Sequence, residues 1–151
     1  GHLEQSVFFE EIYSINEGSP PDVNLKNEKN NGESVLKIIK ENLVNSVHDV
    51  SSGGLIVALA EMCIGSNYGI KINKPTKLNN IYEYFFGEDQ SRYILEIDKN
   101  NSKKVEKILK NNNIFYEIIG STQKEYFEIV KEMKINIKEL FQINNQWYNN
   151  Y

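Results

Sequence analysis

The stretch from Val44 to Ile64 constrains the fold more than any other. A short, partly alternating apolar run, Val44 to Val50, leads into Ser51-Ser52-Gly53-Gly54 and then into the mostly apolar run Leu55 to Ile64. The first run suits a buried strand, the second a buried helix, and the glycines a tight turn between them. Strand, glycine turn and buried helix in that order is the repeating step of α/β proteins. The second run is interrupted by Glu61 and falls far short of the ~18 residues a membrane span needs, so it reads as core.

Similar punctuation runs along the rest of the chain. Val7, Phe8, Ile12 and Ile15 predict a short amphipathic helix over 5–15, stopped by Gly18-Ser19-Pro20-Pro21-Asp22. Residues 22–32 are polar and read as a loop. Val35, Ile38, Ile39 and Leu43 give 33–43 a helical stripe. Gly69 to Lys74 and Ser91 to Asp98 alternate as half-buried strands, with an aromatic helix, Leu78 to Phe86, between them. Residues 101–110 form an amphipathic helix with Val105, Ile108 and Leu109 inside. Phe115–Ile119 and Tyr126–Val130 read as strands joined by Gly120-Ser121-Thr122, and a last helix begins over 137–141. The fold class is therefore α/β (α+β), with a mixed sheet of about four to six strands carrying packed helices. At 151 residues, one domain over 1–151 is expected. Gly1-His2 reads either as native or as the remnant of a tag.

The charge balance narrows the partners. Formal net charge is −4, which supplies no basic footprint for nucleic acid. No signal-peptide pattern and no membrane span is present, and Cys63 is the single cysteine, so no intrachain disulfide is available. A reduced, cytoplasmic setting fits. No P-loop, GxGxxG, zinc spacing or GxSxG occurs.

Several residues carry two readings. The turn after Asp49 offers free amides at a helix start, which suit an anion, but Ser51 or Ser52 equally serves as a simple helix cap. His48 beside Asp49 allows acid–base work or a structural hydrogen bond; the second is favoured. Asp49, Glu88 and Asp89 are carboxylates of the kind Mg²⁺ prefers, yet nothing nearby completes a metal site, and none is assigned. Arg92 either clamps a phosphate or pairs with Glu88 or Asp89. Cys63 is expected to be a small core residue. Trp147, Tyr148 and Tyr151 pack on the domain or on a neighbour.

Val47-His48-Asp49-Val50-Ser51-Ser52-Gly53-Gly54-Leu55, continued by Ala58-Leu59-Ala60-Glu61-Met62, closely resembles the "HDVSDGGL…ALAEM" segment of the phosphoribosylformylglycinamidine synthase large subunit, with Ser52 where Asp is usual. Hydrogenase-maturation, selenophosphate synthetase and aminoimidazole ribonucleotide synthetase relatives carry different versions of this turn. Three other segments resemble the same family in the same order. Gly1-His2-Leu3-Glu4-Gln5-Ser6 matches its "G-x-L-G-x-S" opening, with Glu4 for Gly. Pro20-Pro21 through Asn31-Gly32 matches its linker, with Asn24 for Asp. Phe86-Gly87-Glu88-Asp89-Gln90-Ser91-Arg92-Tyr93 matches its "FGE-(S/D)-Q-(S/G)-R-(Y/F)" loop. The resemblance covers about residues 1–130.

This resemblance implies the C-terminal domain of the second half of a subunit that converts formylglycinamide ribonucleotide, ATP and glutamine-derived ammonia into formylglycinamidine ribonucleotide. It implies ATP and Mg²⁺ for the parent ligase, but no cofactor and no catalytic residue in this piece. The implied partners are the remaining domains of the same subunit, a glutaminase subunit and a small bridging subunit, with no nucleic acid and no membrane. Asp49, Ser51, Gly53, Gly54, Glu88, Gln90 and Arg92 are the candidates for a ligand-facing or auxiliary site. Alternatives are a domain of another ATP-binding relative, or a stand-alone interaction module.

Overall fold

The computed structural model describes residues 1–75, 77–146 and 148. The chain divides into two compact units, Gly1–Ala58 with Ile81–Glu117, and Leu59–Asn80 with Ile118–Tyr151.

In the first unit, α1 (Val7–Tyr13) starts at Ser6, whose hydroxyl accepts the Phe9 N–H. Of the apolar residues expected inside this helix, only Phe8 is buried. Helix α2 (Leu25–Lys40) begins eight residues earlier than its apolar stripe suggests. The polar segment read as a loop is helical because Asn24 caps it, accepting the Asn27 N–H at 3.0 Å. Its polar side chains also dock. Asn30 Nδ2 donates to Asn112 O, Asn31 Nδ2 donates to Ser91 O, and the buried Ser34 hydroxyl accepts from Asn112 Nδ2 at 2.8 Å. Ile38 and Leu43 then pack with Val105 and Leu109 of α5 (Ser102–Asn111) to form a core.

Strands β1 (Ser46–Asp49) and β3 (Tyr93–Glu96) form an antiparallel pair with Asp49 opposite Tyr93. The pairing extends past both ends, through Asn45 N to Glu96 O and Val50 N to Arg92 O. Helix α4 (Ile81–Phe86) precedes β3, and α3 (Gly54–Ser66) follows β1.

In the second unit the sheet order is β4-β2-β5-β6, with β2 (Gly69–Ile72), β4 (Gly120–Gln123), β5 (Tyr126–Ile129) and β6 (Met133–Asn136). Strand β2 runs parallel to β5 and antiparallel to β4, so the sheet is mixed. Ile72, Phe127 and Ile129 are buried, together with Leu59, Cys63 and Ile137, the first residue of α6 (Ile137–Asn145). The opposite side carries the cross-strand row Ser121, Lys71, Glu128 and Lys134, in which Lys71 and Glu128 pair at 3.7 Å.

Two sequence expectations change here. Phe115–Ile119 is not a strand, and Phe115 is 90% exposed. Gly120-Ser121-Thr122, read as the connecting turn, is itself strand β4 and pairs with β2, not β5. Gly120 allows this closeness, since a Cβ there would overlap Lys71 O. Cys63 is buried, as a core residue should be. Tyr148 is exposed, while Trp147 and Tyr151 lie outside the described residues.

Candidate functional site

The β1–β3 register brings the two most informative sequence segments together. With Asp49 opposite Tyr93 and Val50 N bonded to Arg92 O, the turn 50–54 must lie beside the loop 87–92. Between them opens a cleft of about 310 Å³, lined by Asp49, Ser51, Ser52, Glu88, Gln90 and Arg92 among others.

The turn is a glycine structure. Gly53 and Gly54 have φ of +79° and +72°, in the left-handed region that favours glycine. A Cβ on Gly54 would come within 2.6 Å of Phe86 C and 2.8 Å of Gly87 O, so the loop rests directly on this residue. Helix α3 is entered by a backbone turn, with Gly54 N donating to Ser51 O at 3.0 Å, while the exposed Ser51 and Ser52 line the cleft.

Glu88 ties three segments. Its Oε1 accepts the Gly53 N–H at 2.7 Å and the Val7 N–H at 2.9 Å, and its own N–H donates to His2 O. Asp89 Oδ2 accepts the His2 N–H at 3.1 Å. Arg92 is turned inward onto the same loop. Its Nη1 donates to Gly87 O at 3.0 Å and lies 3.6 Å from Asp89 Oδ2, while Nη2 reaches Tyr84 O at 3.5 Å. Of the two readings of Arg92, pairing within its own loop is the one the geometry displays. The Tyr84 hydroxyl donates to Glu117, and burial first, then this carboxylate, raise its pKa.

Six of the seven candidate residues thus meet through strand pairing and the Glu88 bridge: Asp49, Ser51, Gly53, Gly54, Glu88 and Arg92. Gln90 lines the same cleft and is exposed. His48 sits just outside, its Nδ1 2.6 Å from Asp49 O, a structural hydrogen bond. Sequence reasoning missed Glu28, which lines the cleft from α2 and whose Oε2 is buried without a hydrogen-bond partner. The signal for it was the Asn24 cap, which places Glu28 in the first turns of a helix.

The cleft is therefore acidic, with Glu28, Asp49, Glu88 and Asp89 against the single guanidinium of Arg92. The Gly53 amide, which a phosphate would need, is already taken by Glu88. Among the described residues no group of three or more His, Cys, Asp or Glu is placed to hold a metal ion.

The comparisons with known proteins converge. The model of the AIR synthase related protein C-terminal domain family matches residues 3–131. The phosphoribosylformylglycinamidine synthase subunit PurL of Pelagibacter ubique is 42% identical over all 151 residues, which are 21% of that protein. Phosphoribosylformylglycinamidine synthase II of Thermotoga maritima superposes with a TM-score of 0.69 at 18% identity, over 80% of this chain and 22% of that one. The PurLQS structure from Thermotoga maritima gives 0.67 at 19% identity, over 88% and 24%. The chain spans about a fifth of the length of the curated relatives it matches. It belongs to the AIR synthase related protein C-terminal domain family.

Proposed function

We propose, from this family membership, that the chain is the C-terminal α/β domain of a phosphoribosylformylglycinamidine synthase large subunit. The whole subunit is an ATP-dependent carbon–nitrogen ligase of purine biosynthesis. It makes formylglycinamidine ribonucleotide from formylglycinamide ribonucleotide, ATP and ammonia released from glutamine. The observation that carries this reading is the 42% identity to a PurL subunit across every residue of the chain. Both compact units belong to the one domain, supported by a family match that runs through both.

Within that enzyme the domain is a wall and a scaffold, not the seat of the chemistry. Phosphoryl transfer needs a metal, a phosphate cradle and a positioned nucleophile held together. Here the amide is occupied by Glu88, and the guanidinium is spent on Gly87 O and Tyr84 O. ATP and Mg²⁺ are held by the rest of the subunit. Asp49, Ser51, Gly53, Gly54, Glu88, Gln90 and Arg92 form a face turned toward whatever the neighbouring domains bind. The partners are those domains, a glutaminase and a small bridging subunit, in the cytoplasm. Among the described residues no helix is long and apolar enough to cross a membrane.

The test is reconstitution. The full subunit with its glutaminase and bridging subunits forms the amidine, whereas the 151-residue chain neither forms it nor hydrolyses ATP. Arg92→Ala in the full enzyme lowers the melting temperature more than the turnover of the enzyme that remains folded. Turnover by the chain alone would overturn the scaffold role. So would an Arg92→Ala enzyme of unchanged stability and nucleotide content that has lost all turnover.

A further inference from the structure

The two halves of helix α2 are held by different forces. Its buried residues, Ser34, Val35 and Ile38, all lie after Gly32. None of residues 25–32 is buried, and Leu25, the first of them, is 76% exposed. Composition makes the same division. Asn27, Asn30, Asn31 and Gly32 are half of residues 25–32, and asparagine and glycine are poor helix formers. The Lys29–Glu33 ion pair is exposed at both ends and adds little. What keeps these turns helical is the Asn24 cap and two side-chain amides. Asn30 Nδ2 donates to Asn112 O at 2.8 Å, and Asn31 Nδ2 donates to Ser91 O at 3.0 Å. A helix start with no buried face, held by a few polar bonds, opens at a lower free energy than the rest of its helix.

These same turns wall the cleft. Glu28 lines it, and its Oε2 is buried with no hydrogen-bond partner among the described residues, which weakens the closed arrangement. The carbonyl that Asn31 grips belongs to Ser91, a non-glycine residue at φ +59° set between Gln90 and Arg92 of the cleft loop. A serine persists in the left-handed region where its surroundings impose it, and the Asn31 amide is the contact from α2 that does so. Undoing these turns removes Glu28 from the wall and Asn31 from the loop in one step. We propose that residues 24–32 are a lid on the cleft, which opens by unwinding as far as Gly32 and closes by refolding onto Ser91 and Asn112. The rest of α2 stays on its core through Val35 and Ile38. The lid goes beyond the function proposed above and does not depend on it.

Native-state hydrogen exchange of the full-length protein, read by fragment mass, tests this. The amides of 28–32 are expected to exchange at least about tenfold faster than those of 37–40, relative to their intrinsic rates. Two variants move the lid alone. Asn24→Ala removes the cap and speeds exchange at 28–32 about fivefold. Gly32→Ala has room, since a Cβ there meets only the Tyr93 hydroxyl at 3.6 Å, and slows that exchange about fivefold. Neither changes the amides of 37–40. The Val50 amide, which donates to Arg92 O beside Ser91, follows the lid in both variants, faster in the first and slower in the second. Equal protection over 28–32 and 37–40 overturns the proposal. So do variants that shift both sets together, because α2 then opens as one helix. A Val50 amide that neither variant moves overturns it as well, because the lid is then only a frayed helix end.

Discussion

In the four-stranded sheet, Ile70, Ile72, Phe127 and Ile129 alternate with Lys71 and Glu128, and the two sets take opposite sides. Around the cleft, no such alternation decides where the backbone goes. The turn 51–54 and the loop 87–92 are joined by one carboxylate and a glycine with no room for a side chain, and one guanidinium holds the loop itself. The sheet is specified by a pattern, in which any apolar residue of similar volume serves at a given place. The cleft is specified by single groups, each with a partner that nothing else supplies. The second arrangement fixes the geometry of the cleft without filling its space with apolar side chains.

The largest expected effect tests the sheet. Phe127→Ala removes a ring that is 2% exposed and costs about 4 kcal/mol. Native-state hydrogen exchange should locate the loss in the amides of β2, β5 and β6, and equal loss in β1 and β3 would break the contrast. Next comes a glycine pair on one helix. Gly54→Ala, strained at positive φ and against the 86–87 backbone, costs about 3 kcal/mol. Gly65→Ala, with open space around it, gains about 0.5–1 kcal/mol. Denaturant midpoints of opposite sign are the expected result, and a loss at both would show that the helix, not the loop contact, sets the cost.

Glu88→Ala follows, at about 2 kcal/mol, because the Gly53 and Val7 amides lose their acceptor together. Glu88→Gln keeps an accepting oxygen and should recover about half of this. Faster exchange confined to amides 7 and 53 is the mark of a bridge; a uniform change would make Glu88 an ordinary surface charge.

The smallest effect belongs to the strap at 18–19. Glu4 accepts from the Ser19 N–H at 2.9 Å and from its hydroxyl, which lowers the Glu4 pKa. A depressed carboxylate contributes above its ordinary value of 4.5 and stops contributing as pH falls through the lower, folded value. The Ser19 amide resonance should therefore titrate with a midpoint below 4.5, and a midpoint at or above it would deny the bond.

Much of the fold was legible because period and punctuation are local. Gly69–Ile72 alternates within itself, and α5 shows its stripe without reference to anything else. What failed was decided at a distance. Phe115 and Ile118 are apolar yet exposed, so they imitated a strand, while Gly120–Gln123 has no apolar pattern and pairs only because β2 offers an edge. Met133–Asn136 pairs with β5 for the same reason. The candidate residues could be singled out as a group, since they sit in two distinctive segments. Their convergence was not legible, because the β1–β3 register and the choice of Glu88 as acceptor for Gly53 are tertiary facts.

The interleaving of the two units has a consequence for synthesis. Both neighbours of β2 lie downstream of it, and all of Ile81–Glu117, which belongs to the other unit, must be made before either exists. At cellular elongation rates the edges of β2 wait for on the order of several seconds. Over that interval Ile70 and Ile72 have no sheet to join, and β1 likewise waits for β3. The nascent chain thus emerges with two strands whose partners are still to be made.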